Sequence, residues 1–470
     1  MRPLRVAAVV AFAGLAAPAS AVAHSGLSQR QNLPIPEWLF GWAAAAVLVV
    51  SFAALAVLWP RPRLEQPSWR PLPFGIGRFL GSRGVDVACG AIGVALLAVV
   101  IVAGYVGPDS GADNLAPTFS FIIFWVGLVF ASVLFGDLFR AFSPWRAIGR
   151  ATGAMLGRRA PLHRPYPERL GRWPAAAGLL VFTWVELVSE WAVLPRTVAA
   201  VAVTYTVVTL AAQAVWGVET WTRRGEAFSV YFNLFSRLSP FETRDGVVGL
   251  RPLLGGLPRL TPAAGTVALL AVMIGTVTFD GFEQGSAWGD ISSSLVDAFT
   301  SLGIGASAAP KVAGTLGLLA GVGLVAGFYW LGMEGARSVG GGFTAAELRR
   351  AFVHTLVPIA GAYVAAHYLT YLLFSGQQII YLSSDPFGQG WDLFGTAASG
   401  IDYSLLSQNG QWYAQVGCVV LGHVAGLVLA HDRALAWYGE AKLAVRSQYW
   451  MLGIMVGFTT LALWLLSQAA

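Results

Sequence analysis

The stretch LFGWAAAAVLVVSFAALAVLWPRPRLEQPSWR (39–70) decides the fold. From Leu39 to Trp59 no side chain is ionisable, and the run then meets Arg61, Arg63 and Arg70. A helix of about 20 apolar residues, rising ~1.5 Å per residue, spans the ~30 Å hydrocarbon core of a bilayer. A cluster of Arg directly after such a run marks the end that stays cytoplasmic. The same pattern recurs along the chain. Ten apolar runs follow one another, at roughly 38–59, 86–107, 118–139, 174–195, 197–216, 262–281, 311–332, 353–375, 411–430 and 448–467.

The basic residues keep step with these runs. Of the 30 Lys and Arg, 25 fall in every second gap: 60–85, 140–173, 217–261, 333–352 and 431–447. The alternate gaps hold only Arg30, Arg196 and Lys311. The expected fold is therefore an all-α, polytopic transmembrane bundle of ten spans, with the five basic gaps inside and both ends of the mature chain outside. Composition agrees: of 470 residues 56% are hydrophobic and 11% charged, and mean hydropathy is +0.64. Soluble domains carry about 25% charged residues. The net charge of +6 is spread over loops beside apolar spans, which selects anionic lipid headgroups as the partner and argues against nucleic acid.

Arg2 and Arg5 precede an apolar stretch and the A-x-A-like sequence Ala21-Val22-Ala23, the pattern of a signal peptide over 1–23, followed by a single membrane domain over 24–470. Cleavage there would place a free amine on His24, and an amine plus imidazole chelates copper. The plainer alternative is that His24 simply follows the cleavage site. Two further segments, 225–241 and 287–303, space apolar side chains at helical intervals and read as amphipathic helices lying in the interface or capping the bundle.

Ionisable groups inside spans are costly and face the bundle interior, so they mark candidate sites. The fourth run holds Glu186 and Glu190, whose spacing places both on one helix face; the eighth holds His354 and His367; the ninth holds His423. Counted from the outer ends, Glu186 lies ~13 Å deep, His367 ~12 Å and His423 ~18 Å. Glu186, Glu190, His367 and His423 are thus candidates for one polar site in the outer half. Such a set suits a divalent or copper ion, held by Glu186, His367 and His423, or a proton relay, and Glu186, Glu190 and His367 are the candidate catalytic residues. The alternative is that each His bonds a helix carbonyl and each Glu pairs with Tyr, Thr or Gln. Asp280, in TFDGF (278–282), marks the outer mouth of the sixth run and reads first as a helix-end residue, with a ligand contact as the functional alternative. Cys89 and Cys418 lie inside apolar runs, and neither a Walker A loop nor a G-x-S-x-G elbow is present.

Several stretches carry a resemblance: PIPEWLF (34–40), SPWRAIGR (143–150), GEAFSVYF (225–232), TFDGF (278–282), AHYLTYLLFSGQ (366–377), SDPFGQGWDLFG (384–395) and GHVAGLVLAHDRA (422–434). Together they resemble actinobacterial polytopic membrane proteins labelled fenitrothion hydrolase. The resemblance implies hydrolysis of an organophosphorus ester with release of a nitrophenol, in a bacterial plasma membrane, and assigns no residue a role. Two function classes follow. A hydrolase would act on a small lipophilic ester with a metal-bound water. A transporter or metal-handling protein would bind a cation, or pass protons, with the same buried groups.

Overall fold

The computed structural model describes residues 37–66, 68–157 and 164–468. The expected signal peptide and His24 lie outside them. All ten expected runs form helices: α1 Glu37–Leu58, α2 Arg83–Val106, α3 Leu115–Phe135, α4 Trp173–Leu187, α5 Pro195–Trp216, α7 Thr266–Glu283, α9 Ala309–Ser338, α10 Leu356–Leu373, α11 Gln408–Tyr438 and α12 Tyr449–Gln468. Among the described residues, nine helical segments are long and apolar enough to cross a membrane. The exception is α4, whose 15 residues reach only ~22 Å. The chain is a multi-pass integral membrane protein with an all-α bundle.

The five basic gaps meet at one end. In a small antiparallel sheet, β1 (Arg70–Pro71) and β2 (Phe241–Arg244) flank β3 (Val247–Leu250), joining the first gap to the third. Arg146, in the second gap, pairs with Asp86 at 2.7 Å and Glu219 at 3.0 Å. Arg433 of the fifth gap reaches Glu65 of the first at 2.6 Å and the Pro258 carbonyl of the third at 2.6 Å. Tyr438 Oη, also in the fifth gap, donates to the Ala336 carbonyl in the fourth at 3.3 Å. The opposite end is called outer below.

Between the spans lies α6 (Ala227–Ser236), the first of the two expected amphipathic helices. It does not lie along a surface. Phe228, Tyr231, Phe232, Leu234 and Phe235 are all buried. A helix apolar on every side belongs in the interior, and its polar residues are small or already bonded: Asn233 Nδ2 donates to Asp137 at 2.7 Å, and Ser236 Oγ to the Asn233 carbonyl at 2.8 Å. Glu226 caps its start by accepting from the Phe228 and Ser229 amides at 2.9 and 2.8 Å. Within α3, Thr118–Gly127 winds as a π-helix, the wider i→i+5 turn. That segment lays Trp125 flat on Tyr231, with ring centroids 4.6 Å apart and 14° between planes. The second expected amphipathic segment, α8 (Ser286–Ser301), has no buried residue and rests Trp288 against Phe279 of α7, centroids 5.1 Å apart.

One close approach positions the helices that carry histidine. Gly422 and Gly426 on α11 face α10, where a Cβ at Gly422 would lie 2.8 Å from the Pro358 carbonyl and one at Gly426 would lie 3.0 Å from the Thr355 carbonyl. Small residues four apart let two membrane helices touch through their backbones.

Candidate functional site

Four helices bring a polar cluster together in the outer half. Asp280, in the last turn of α7, is 1% exposed. Its Oδ2 accepts from Tyr368 Oη at 2.6 Å and lies 2.9 Å from His367 Nε2, and its Oδ1 accepts from Gln284 Nε2 at 3.3 Å. Both close partners are neighbours on α10, so that single helix closes the carboxylate. Glu186, in the last turn of α4, is 2% exposed. It lies within electrostatic range of Tyr231, Tyr368 and Tyr371, and Asp280 reaches the last two of these as well. The cluster therefore gathers two acids, one imidazole and three phenols from α4, α6, α7 and α10.

Its electrostatics favour a positive charge. The C-terminal end of a helix carries a partial negative charge from its free carbonyls, and Glu186 and Asp280 both sit at such ends. Charge in a low-dielectric interior needs compensation close by.

His367 also borders a small cavity, with Thr278, Gly281, Tyr363 and Val419 among its lining residues. His367 turns Nε2 toward Asp280 and Nδ1 toward Gly281, where a Cβ would lie 3.8 Å from it.

Glu190 is not part of this group. The α4 helix stops at Leu187, and Ser189 takes an extended conformation, φ −93° and ψ 159°, its Oγ accepting from the Trp191 amide at 3.1 Å. That break turns Glu190 out onto an exposed 3₁₀ turn, so the spacing of four no longer places the two glutamates on one face.

His423 also stands apart. Its Nδ1 bonds the Val419 carbonyl at 2.8 Å, and its ring lies 6.1 Å from that of Tyr363, the residue that also lines the His367 cavity. It opens on a separate, larger cavity. The expected metal set of Glu186, His367 and His423 is therefore not assembled, and among the described residues no three His, Cys, Asp or Glu side chains gather as ligands. The depth estimate compared heights along the helices, whereas ligation needs matching azimuths too.

Asp280 carries more than the helix end to which TFDGF assigned it. Tyr231, Tyr368 and Tyr371 gave no signal that separates them from core aromatics; the usable clue is that a buried phenol needs a partner for its hydroxyl.

Other quoted stretches have structural explanations. In GHVAGLVLAHDRA, Asp432 accepts from Trp59 Nε1 at 2.9 Å and from the Arg63 and Leu64 amides at 2.6 and 3.0 Å, pinning the chain that leaves α1. In SDPFGQGWDLFG, Asp385 accepts from the Gln389 and Gly390 amides at 2.8 and 2.7 Å, which closes an exposed loop. By contrast, TFDGF, AHYLTYLLFSGQ and GEAFSVYF each send a side chain into the polar cluster. No protein-family model matches the chain, and neither does any curated protein or solved structure.

Proposed function

We propose that this protein is a transporter of a bacterial plasma membrane, with Glu186, Asp280 and His367 as its proton- and cation-binding groups. The observation that carries the reading is a carboxylate 1% exposed, held by Tyr368 and His367, with a second buried carboxylate in range of the same tyrosine. Intramembrane acids arranged in this way mark ion and proton pathways. The test is proton entry into vesicles containing the purified protein, driven by an imposed potential and read with an internal pH dye. The wild type and Glu190→Gln admit protons; Asp280→Asn and Glu186→Gln do not. Equal rates in all four would end the transport reading.

One observation favours the second class. His367, with Nε2 2.9 Å from Asp280, presents Nδ1 beside a cavity, an arrangement that in the neutral ring would suit a general base acting on water. Together with the resemblance to proteins labelled fenitrothion hydrolase, it supports hydrolysis of a nitrophenyl organophosphorus ester. Nitrophenol release that disappears in both His367→Gln and Asp280→Asn while Glu186→Gln retains it would favour that class over transport.

A further inference from the structure

The larger cavity holds a different chemistry. It lies between α7, α9, α10, α11 and α12, and His423 stands on its wall near the middle of α11. His423 is 0% exposed. Its Nδ1 faces the Val419 carbonyl at 2.8 Å, and a carbonyl only accepts, so Nδ1 carries the hydrogen. In the neutral ring Nε2 then holds a bare lone pair, and among the described residues that atom has no hydrogen-bond partner. A histidine tied by one nitrogen to a backbone carbonyl with the other free is oriented as a metal ligand is.

Three methionines line the same cavity. Met451 and Met455 stand one turn apart on α12, and Met333 comes from α9. The described residues contain five methionines, so more than half of them meet here. The rest of the wall is chiefly apolar, including Ile274, Val325, Phe328, Ile359 and Phe458. Methionine alone would be ordinary gap filling. Three methionines on the same cavity wall as an orphaned imidazole lone pair offer soft, neutral donors.

We infer that this cavity binds a soft monovalent cation, Cu(I), through His423 Nε2 and the thioethers of Met333, Met451 and Met455. Thioether and imidazole select Cu(I) over Mg(II), Ca(II) and Mn(II), which prefer oxygen. Charge decides against Zn(II) as well. The cost of burying an ion grows with the square of its charge, so a monovalent ion costs about a quarter as much as a divalent one in such a site, and these four ligands are neutral. The site is distinct from the outer acidic cluster and stands whether or not that cluster moves protons.

The experiment uses the full chain, purified anaerobically in detergent with Cys89→Ser and Cys418→Ser to remove thiol ligands. Cu(I) is titrated against a chromogenic Cu(I) chelator. One equivalent is expected to resist the chelator. His423→Ala and the double variant Met451→Leu/Met455→Leu should each weaken it by at least about tenfold, the scale of losing part of a metal's ligand environment. Met273→Leu, buried but off the cavity wall, should leave it unchanged. X-ray absorption should show a mixed sulfur and nitrogen shell. The Met→Leu changes conserve volume and leave the fold intact, so the result does not depend on whether His423→Ala folds. A parent protein that binds no Cu(I), or Cu(I) retained equally by His423→Ala and the double variant, would overturn the inference.

Discussion

The bond between Tyr368 and Asp280 makes the sharpest energetic prediction. Tyr368→Phe removes one hydroxyl and nothing else, leaving Asp280 Oδ2 with His367 as its remaining close partner. A bond to an ionised group contributes about 1.5–3 kcal/mol in soluble proteins. Between membrane helices the measured mean is about 0.6 kcal/mol and the maximum about 1.7, because separated helices find other partners within the bilayer. Asp280 is 1% exposed and its bond to Tyr368 is 2.6 Å long, which places this pair near the upper end of the membrane range. The expected loss for Tyr368→Phe is therefore about 1–1.5 kcal/mol. Asp280→Asn alone should cost about 2 kcal/mol, since the amide loses the carboxylate's charge and, with its oxygen kept toward Tyr368 and His367, sets an NH2 against the Gln284 Nε2 donor. The double variant should cost about 1 kcal/mol less than the sum, because the shared bond can be lost only once. Reversible unfolding in mixed detergent micelles, followed by tryptophan fluorescence, measures all three. Tyr363→Phe, which loses only a neutral bond to the Phe458 carbonyl at 3.3 Å, serves as a reference. Additivity within about 0.5 kcal/mol would refute the coupled cluster.

Further outcomes follow from other parts of the bundle. Gly422→Leu drives a side chain into Pro358 and Ala362, and should cost about 1–3 kcal/mol by forcing α10 and α11 apart, measured by the same unfolding. Asp432→Ala strands the Trp59, Arg63 and Leu64 donors; it should cost about 3 kcal/mol and open the segment after α1 to limited proteolysis. Burial lifts the Glu226 carboxyl above its ordinary 4.5, against the pull of Ser229, Tyr205 and the Phe228 amide. The folded state thus binds that proton more tightly than the unfolded state. Its contribution is complete below pH 4.5 and is lost as pH rises through the elevated value. Glu226→Gln should flatten that decline in a pH series of unfolding midpoints; an unchanged slope would assign it to other groups.

The bundle was legible because apolar runs and Arg-rich gaps report one physical constraint, the transfer of helices into hydrocarbon. Depth was read from the rise per residue, which sets Glu186 and His367 at similar heights. Rotation about each helix axis was not legible, so His423 was grouped with His367 although it faces another cavity. The break after Leu187 was hidden because Ser189 reads as an ordinary span residue until its capping bond is seen. The burial of α6 was in principle readable, since AFSVYFNLFS has aromatic or aliphatic side chains on every face. Strands of two and four residues lie below what alternation can reveal.

The most direct test of the central claim is infrared difference spectroscopy of the reconstituted protein between high and low pH. A proton-binding cluster predicts a protonated-carboxyl band at low pH that is diminished in both Asp280→Asn and Glu186→Gln and preserved in Glu190→Gln. The same band in all three variants would show that the buried carboxylates do not exchange protons, and would contradict the account.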